Sequence, residues 1–387
     1  MNIIPKSPTA SWFEMENKIS SKFDSFISLS LGDTILDFSK NIKKTIFQQE
    51  NKFNYRYSAI SGSDSLKQAI SKYNRHYAGG NYLKNEIIVT NGGKQGIFNV
   101  LLTLINPGDE VLLPRPYWDT YLEIINFLNG KAILIKTDGN YNMDIDDLSK
   151  KITSKAKLII INSPNNPSGA IIRRSSLKKI ADLAIENNIH ILSDEVYNAF
   201  LYNDEKYVSI SSLSQEAKER TIVVNSFSKS LSIPGLRVGY CASSKEMISK
   251  LENIQSHSTG NVSNVSQHIA LGLLEHFEKI TKDTLKTFNK RIDYSFKRLK
   301  EMQNTEMVTK PAGAIYLFPK IMNGGEDAYY LCKKLLETRG VSFMPGKYFG
   351  LKDHLRITVS HEIPVLDKAL TIFEEFLEEN EKRHYTT

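Results

Sequence analysis

Short apolar runs that end in polar turns recur along the chain. Residues 158–161 and 221–224 are uniformly apolar or β-branched and do not alternate with polar residues, which is typical of strands buried on both faces. Segments with helical periodicity separate such runs, for example at residues 65–77, 96–104 and 144–152. Strands that alternate with helices predict an α/β fold with a mainly parallel sheet covered by helices.

The two ends of the chain are organised differently. Residues 11–26 predict an amphipathic helix that is followed by a short strand and a glycine. A long helical stretch at residues 265–302 leads into a smaller α/β unit. We therefore predict a large domain at residues 46–290. Residues 1–45, which include an N-terminal arm, are predicted to join residues 291–387 in a small domain.

The composition is that of an ordinary globular protein with a sizeable core. The chain has 387 residues, of which 41% are hydrophobic and 24% are charged. The net charge of +7 comes from 50 basic and 43 acidic residues, which are scattered without a block of one sign. A nucleic-acid-binding protein would need a basic stripe with interleaved aromatic residues. We therefore expect an enzyme with no nucleic-acid partner.

The cysteines, histidines and apolar runs exclude several other classes. Cys241 and Cys332 are the only cysteines and lie far apart in apolar surroundings, which favours reduced core thiols over a disulfide or a metal site. The eight histidines show no metal-ligand spacing, so we expect no metal. The first residues lack the apolar region of a secretory signal, and no run of about 18 apolar residues occurs. These features predict a cytoplasmic protein without a membrane partner.

A lysine follows the apolar run at residues 221–224. Lys229 comes after Ser226 and Ser228, and Arg237 stands eight residues further on. Burying a charged amine is costly because desolvation disfavours the charge, whereas an amine with a lowered pKa can form a Schiff base with a carbonyl cofactor. The two hydroxyls and the guanidinium suit a phosphate group. Ser-Lys alone would indicate a surface lysine, but this spacing favours a cofactor site.

Three further positions could bind a charged group. Asp194 ends a predicted buried strand at residues 190–194, and an acid there needs a cationic partner or hydrogen bonds. Gly93 stands between a short strand and a helix, where backbone N–H groups and the helix dipole can hold a phosphate. Arg356 interrupts an apolar run, and it could belong either to a buried ion pair or to a carboxylate-binding site.

Together these segments resemble the class I/II aminotransferases, the pyridoxal-phosphate enzymes of fold type I. The matching elements occur in the order found in that family and span residues 29–376. The resemblance implies a large domain with a mainly parallel sheet of seven strands that is covered by helices. It rests on Ser-x-Ser-Lys at 226–229 with Arg237, Asn-Asn-Pro-Ser-Gly at 165–169, Asp-Glu-x-Tyr at 194–197, and Pro-Gly-x-x-Phe-Gly at 345–350 followed by Leu-Arg-Ile at 355–357.

The resemblance implies a pyridoxal 5′-phosphate cofactor with defined contacts. Lys229 would carry the cofactor as a Schiff base and then act as the general base. Asp194 would keep the pyridine nitrogen protonated, and Tyr197 would donate to the 3-oxygen. Further cofactor contacts implied by the resemblance are the backbone amides of Gly93 and Lys94, the ring of Trp118, and the side chains of Asn166, Ser226, Ser228 and Arg237.

The same resemblance implies a substrate site and a second subunit. Arg356 would bind the substrate α-carboxylate in a two-pronged ion pair, with Gly32, Trp118 and Asn166 beside the substrate. Tyr57 would reach the cofactor phosphate of the partner subunit, which implies a homodimer.

The expected activity is transfer of an amino group from an L-amino acid to a 2-oxo acid, with 2-oxoglutarate as the expected acceptor, in two half-reactions through a Schiff base on Lys229. The alternative on the same fold is another pyridoxal-phosphate reaction, such as β-elimination, a lyase step or cyclisation of an amino acid.

A transcription regulator with an aminotransferase-like half is disfavoured because the segment before residue 29 is too short for a helix-turn-helix domain. The Gly-x-Pro-Asp-Phe segment of the family is replaced by a longer stretch without proline at residues 32–38, so the substrate stays open.

Overall fold

The computed structural model describes residues 6–34, 53–203, 205–322 and 327–384 of the chain. Within these ranges the strands are, in chain order, β1 (Ile27–Ser28), β2 (Ile87–Thr90), β3 (Glu110–Pro114), β4 (Lys131–Ile135), β5 (Ala156–Asn162), β6 (His190–Asp194), β7 (Thr221–Ser226), β8 (Gly239–Ala242), β9 (Thr305–Glu306), β10 (Tyr316–Leu317), β11 (Lys320–Ile321), β12 (Val341–Ser342), β13 (Met344–Pro345) and β14 (Leu355–Thr358).

The α-helices in the same ranges are α1 (Pro8–Ser20), α2 (Asp64–Tyr73), α3 (Gly92–Leu104), α4 (Asp119–Phe127), α5 (Ile145–Lys151), α6 (Arg174–Glu186), α7 (Gln215–Arg220), α8 (Phe227–Ser230), α9 (Lys245–Ser258), α10 (Asn264–Leu274), α11 (Phe277–Glu301), α12 (Ala328–Arg339) and α13 (Ile363–His384). Among the described residues, no helix combines the length and the apolar character that crossing a membrane requires.

Seven strands form one large sheet in the order β2-β8-β7-β6-β5-β3-β4. Neighbouring strands from β7 to β4 are parallel. Strand β8 is the exception, since it runs antiparallel to both β2 and β7. The predicted α/β fold with a mainly parallel sheet is therefore confirmed.

Strand β5 shows why the sheet needs apolar residues at consecutive positions. Side chains of a strand alternate between its two faces. Leu158 and Ile160 pack into a cluster with residues of α3 and α9, whereas Ile159 and Ile161 pack into another cluster with residues of α6. Burying each such side chain contributes about 1.5–3 kcal/mol. A strand with polar residues at every second position could cover only one of these faces.

The register of the parallel strands brings three strand ends together. Asn162 at the end of β5 pairs with Asp194 at the end of β6. Asp194 pairs in turn with Val224, and Ser226 ends β7 two residues later. Ligands of open α/β sheets bind at the carboxyl ends of the strands. This edge is where the predicted polar residues lie.

The remaining elements form a second α/β unit that includes the N-terminal segment. Strand β14 pairs antiparallel with β10 and β13, and β1 pairs parallel with β12. Trp12 of α1 donates from Nε1 to Ser342 Oγ at 3.0 Å. Its ring shares a core with Phe288, Tyr316 and Phe373. The start of the chain therefore packs with its end.

The helical stretch predicted at residues 265–302 is interrupted, so the prediction of one continuous helix was wrong. Helix α10 ends at Leu274 and α11 begins at Phe277. Phe277 packs in a core beside the large sheet, whereas Phe288 of the same helix belongs to the core of the second unit. Helix α11 thus connects the two cores. On this basis we propose the division into a large domain at residues 46–290 and a small domain from the two ends of the chain.

Candidate active site

A cavity of about 600 Å³ opens at the carboxyl edge of the large sheet. Pockets that hold small molecules and cofactors have volumes of this order. Both α/β units contribute to its walls. The predicted site residues that line it are Gly32, Gly93, Lys94, Trp118, Asn166, Asp194, Tyr197, Ser226, Ser228, Lys229, Arg237 and Arg356.

Lys229 lies on the one-turn helix α8, directly after β7. Its Nζ donates a hydrogen bond to the backbone carbonyl of Gly32. Burial lowers the pKa of Lys229 from its usual 10.5 to about 8. Arg356 and Arg237 add to this pKa shift, and Asp33 opposes it. The neutral amine is the form that attacks a carbonyl group or accepts a proton, so the lowered pKa leaves more of this amine in the reactive form near neutral pH than an exposed lysine has.

Asp194 ends β6 and is only 4% exposed. Its Oδ2 accepts a hydrogen bond from the Tyr121 hydroxyl at 2.5 Å, and its Oδ1 accepts one from the backbone N–H of Val196 at 3.2 Å. Burial raises the pKa of Asp194 to about 6, while these two hydrogen bonds oppose the rise. A buried carboxylate is stabilised by a cationic partner, such as a protonated ring nitrogen placed in the cavity.

Asn166 and Tyr197 line the cavity from the loops that follow β5 and β6. The backbone N–H of Asn166 donates to Asn162 Oδ1 at 2.8 Å, and Asn162 Nδ2 donates to the carbonyl of Asp194 at 3.1 Å. This chain of hydrogen bonds ties the Asn166 loop to the end of β6. Burial raises the pKa of Tyr197 well above its usual value, so its hydroxyl stays protonated and can donate to an oxygen in the cavity.

The predicted phosphate site lies where α3 begins. Gly92 has a positive φ of 77°, and a Cβ added there would overlap the guanidinium of Arg237. That guanidinium donates to two backbone carbonyls, at 2.9 and 3.3 Å, which fix its position. Ser226 Oγ donates to Ser228 Oγ at 2.9 Å. Amide groups at a helix start around Gly93, two hydroxyls and a guanidinium together suit a phosphate.

Lys94 presents its side chain to the cavity, although the resemblance assigned a role only to its backbone amide. Its Nζ lies 4.9 Å from the centroid of the Trp118 ring, a cation–π distance. Burial lowers the pKa of Lys94, and Asp119 opposes this shift. Asp119 Oδ2 also accepts hydrogen bonds from Ser7 Oγ at 2.8 Å and Thr9 Oγ1 at 3.0 Å. The N-terminal segment is thereby fixed at the mouth of the cavity, beside a cation.

Arg356 of β14 is 4% exposed and reaches the cavity from the second unit. Its Nη1 donates to Asn166 Oδ1 at 2.8 Å, and its Nη2 donates to the carbonyl of Ser30. The guanidinium lies 4.5 Å from the ring centroid of Tyr316 and 4.8 Å from that of Phe349. Its Nε is buried without a hydrogen-bond partner among the described residues. The group therefore keeps donors for an incoming carboxylate.

Tyr57 is the one predicted site residue that the structure does not bring to the cavity. Its side chain is 95% exposed on the segment before α2. Of the stretch that departs from the family pattern, residues 35–38 lie outside the described residues.

Two tyrosines of the cavity are missing from the set predicted from the sequence. Tyr121 holds Asp194, and it follows Trp118 by three residues, so the spacing of one helical turn was a usable signal. The hydroxyl of Tyr316 lies 2.5 Å from that of Tyr197. Tyr316 belongs to an apolar strand, where no local pattern separates it from an ordinary core residue.

These groups fit pyridoxal phosphate. The cofactor has an aldehyde, a basic ring nitrogen and a phosphate, and the cavity offers an amine at Lys229, a buried carboxylate at Asp194 and the backbone amides of a helix start around Gly93. A Cβ at Gly92 would overlap the Arg237 guanidinium, so the glycine at this position lets the guanidinium approach the loop closely.

The chain is similar to known aminotransferases over most of its length. The family described as aminotransferase class I and II matches residues 24–373. An aspartate aminotransferase of Bacillus sp. (strain YM-2) is 32% identical over 358 residues, which cover 91% of each chain. The structure of an aspartate aminotransferase from Thermotoga maritima has a TM-score of 0.89 at 32% identity and covers 97% of this chain and 98% of its own. That of an aromatic aminotransferase from Pyrococcus horikoshii OT3 has a TM-score of 0.87 at 30% identity, covering 95% and 99%.

These matches confirm the predicted family, fold type, cofactor and reaction class. They cover both α/β units. The chain belongs to the class I and II aminotransferases and is a pyridoxal-phosphate-dependent enzyme of fold type I that transfers amino groups from amino acids to 2-oxo acids.

Proposed function

We propose that Lys229 is both the covalent anchor of the cofactor and the general base of this transamination. The observation that carries the proposal is that one cavity holds the Lys229 amine, the Asp194 carboxylate and the Arg356 guanidinium. When bound, pyridoxal phosphate supplies an electron-withdrawing ring that accepts the electron pair released at the substrate Cα. The amine of Lys229 would hold the cofactor in the resting enzyme and, when free, would take the proton from the substrate Cα and later give it up again as a general acid.

The other predicted residues have positioning and charge-balancing roles in this proposal. Asp194 holds the proton on the ring nitrogen, because a buried carboxylate with a raised pKa is stabilised by that cation. Tyr197 and Asn166 donate to the 3-oxygen. Trp118 packs against the ring. The phosphate is held by the amides of Gly93 and Lys94 with the side chains of Ser226, Ser228 and Arg237. Gly32, Trp118, Asn166 and Arg356 contact the substrate, with Arg356 on its α-carboxylate.

We infer that the substrate is a dicarboxylic amino acid such as aspartate, with 2-oxoglutarate as acceptor. A second carboxylate in the cavity needs a second cation, and Lys94 supplies one on the Trp118 side. Burial makes an unpaired ammonium costly, and Lys94 forms no salt bridge within 4 Å among the described residues. The aspartate aminotransferases among the similar proteins support this choice.

We also propose that the enzyme is a cytoplasmic homodimer. Tyr55 and Tyr57 are 82% and 95% exposed, and two neighbouring exposed aromatic rings favour a covered surface. In a dimer the Tyr57 hydroxyl would reach the phosphate of the partner's cofactor. Cys241 and Cys332, which are free and buried, support the cytoplasmic compartment because proteins in a reducing environment usually lack disulfides.

The anchor is tested by fixing the cofactor to its lysine. Reduction of the holoenzyme with borohydride, followed by mass spectrometry of its peptides, should find the label on Lys229. The Lys229→Ala variant should lose the label. Its turnover should fall by about 10²–10⁴-fold or more, because the general base is gone. The matched Lys94→Ala variant should keep the label on Lys229. A label on another lysine in the unmodified enzyme would contradict the proposal.

The substrate class is tested at Lys94. The Lys94→Met variant removes the charge but keeps an unbranched chain, so KM for aspartate should rise about 10–100-fold, the range expected for a lost charged hydrogen bond. The constants for alanine, which has no second carboxylate, should change less than threefold. Lys84→Met, at an exposed position, serves as control. An equal loss for both amino acids would show that Lys94 does not select the second carboxylate.

Subunit sharing is tested by mixing two variant chains that are impaired at different residues. Lys229→Ala and Tyr57→Ala chains, unfolded and refolded together, should regain activity, because each mixed dimer contains one site with both native residues. A mixture of Lys229→Ala with Asp194→Ala should gain nothing, since both residues belong to the same chain's cavity. Sedimentation should give the mass of a dimer. A monomer, or no recovery in the first mixture, would refute the shared site.

A further inference from the structure

Tyr316 contacts groups from three parts of the chain at the cavity. It is 1% exposed and lines the cavity wall. Its hydroxyl lies 2.5 Å from the Tyr197 hydroxyl, and the Arg356 guanidinium lies 4.5 Å from the centroid of its ring. A Cβ added at Gly32 would overlap the Tyr316 hydroxyl. Tyr316 thus touches the large sheet's loop, the carboxylate-binding arginine and the N-terminal segment.

The strand pairing of the second unit accounts for this placement. Tyr316 of β10 pairs with Thr358 of β14 in antiparallel register. Arg356 stands two residues before Thr358 and therefore on the same face of β14. Diagonal neighbours across two strands are within reach when one side chain is aromatic and the other is long. The ring and the guanidinium are held in contact by the backbone.

We propose that Tyr316 is a positioning residue of the transamination. It acts by donating a hydrogen bond to Tyr197 and by holding the guanidinium of Arg356 against its ring. This inference rests on the proposed function, since it takes Tyr197 as the donor to the cofactor's 3-oxygen. In this proposal Tyr316 acts through Tyr197 and Arg356 and takes no part in the proton transfer itself.

The direction of the hydrogen bond follows from the surrounding charges. Burial raises the pKa of both phenols, but the Arg356 guanidinium opposes the rise, and it faces Tyr316 directly. The phenol nearer to the cation is the better donor, so Tyr316 donates to the Tyr197 oxygen. The proton of Tyr197 is then free to point at the cofactor. Hydrogen bonds in such a chain strengthen one another, so Tyr316 makes Tyr197 a stronger donor.

A titration of the holoenzyme's visible absorption measures this effect without relying on activity. Donors to the 3-oxygen compete for it with the proton that it shares with the Lys229 nitrogen, so a weaker donor raises the pH at which that proton leaves. The Tyr316→Phe variant, which keeps the ring, should raise this pH by about half a unit, the size of one net hydrogen bond. KM for the amino acid should change less than threefold. Tyr202→Phe, which removes a hydroxyl bonded to the Ala314 carbonyl, should leave the titration unchanged.

A double substitution separates an action through Tyr197 from an independent one. Tyr197→Phe should raise the same pH by at least as much as Tyr316→Phe, and the variant with both substitutions should match Tyr197→Phe alone, because the second change has nothing left to act on. An unchanged titration in Tyr316→Phe, or shifts that add in the double variant, would overturn the proposal. The borohydride label would still map to Lys229 in that case, so the proposed function would stand.

Removal of the ring tests the contact with Arg356. The Tyr316→Leu variant should raise KM for the amino acid about tenfold, since the guanidinium loses its aromatic support. The thermal midpoint, followed in parallel, shows whether the variant folds. If Tyr316→Leu folds and binds the amino acid as tightly as the unmodified enzyme, the ring does not position Arg356.

Discussion

The removal of one lysine amine from water is the constraint on which this structure depends. Lys229 follows a strand whose six residues are all buried, and the charged form of its amine loses hydration there, so its pKa falls to about 8. Burial of this kind costs folding free energy. It also leaves more of the amine neutral near physiological pH than an exposed lysine has, and the proposed role of Lys229 as nucleophile and base depends on this.

The parallel sheet places a carboxylate, Asp194, in the cavity that holds this amine, and the second unit places a guanidinium, Arg356, in the same cavity. Asn162 and Asp194 lie side by side because their strands end in register. Arg356 and Tyr316 enter from the other unit, so the cavity lies between the two cores. In the proposed function Arg356 binds the substrate carboxylate and Asp194 binds the cofactor ring nitrogen, so the two contacts come from different units.

The site residues that could be predicted from the sequence are those marked by the residues next to them in the chain. Lys229 comes shortly after the apolar run at residues 221–224, and Asp194 ends the buried strand at residues 190–194. An ionisable residue at the end of such a strand is conspicuous in the sequence because burial of its charge is costly. Contacts that depend on tertiary packing could not be predicted in this way. Tyr316 looks like a core residue until the pairing of β10 with β14 brings it to Arg356. Helical periodicity continues across residues 265–302, and it does not show the break between Leu274 and Phe277, which comes where the packing changes from one core to the other.

The titration of Lys229 tests the central claim most directly. The rate at which pyridoxal phosphate attaches covalently to cofactor-free enzyme depends on the neutral amine, so it should rise with pH to a plateau with a midpoint near pH 8, the value to which burial lowers the pKa. The sign is that of a depressed lysine pKa: the reactive form is lost as the pH falls below that midpoint. A rate that climbs without a plateau toward pH 10.5, as for a lysine in water, would show that the amine is not desolvated and would contradict the account.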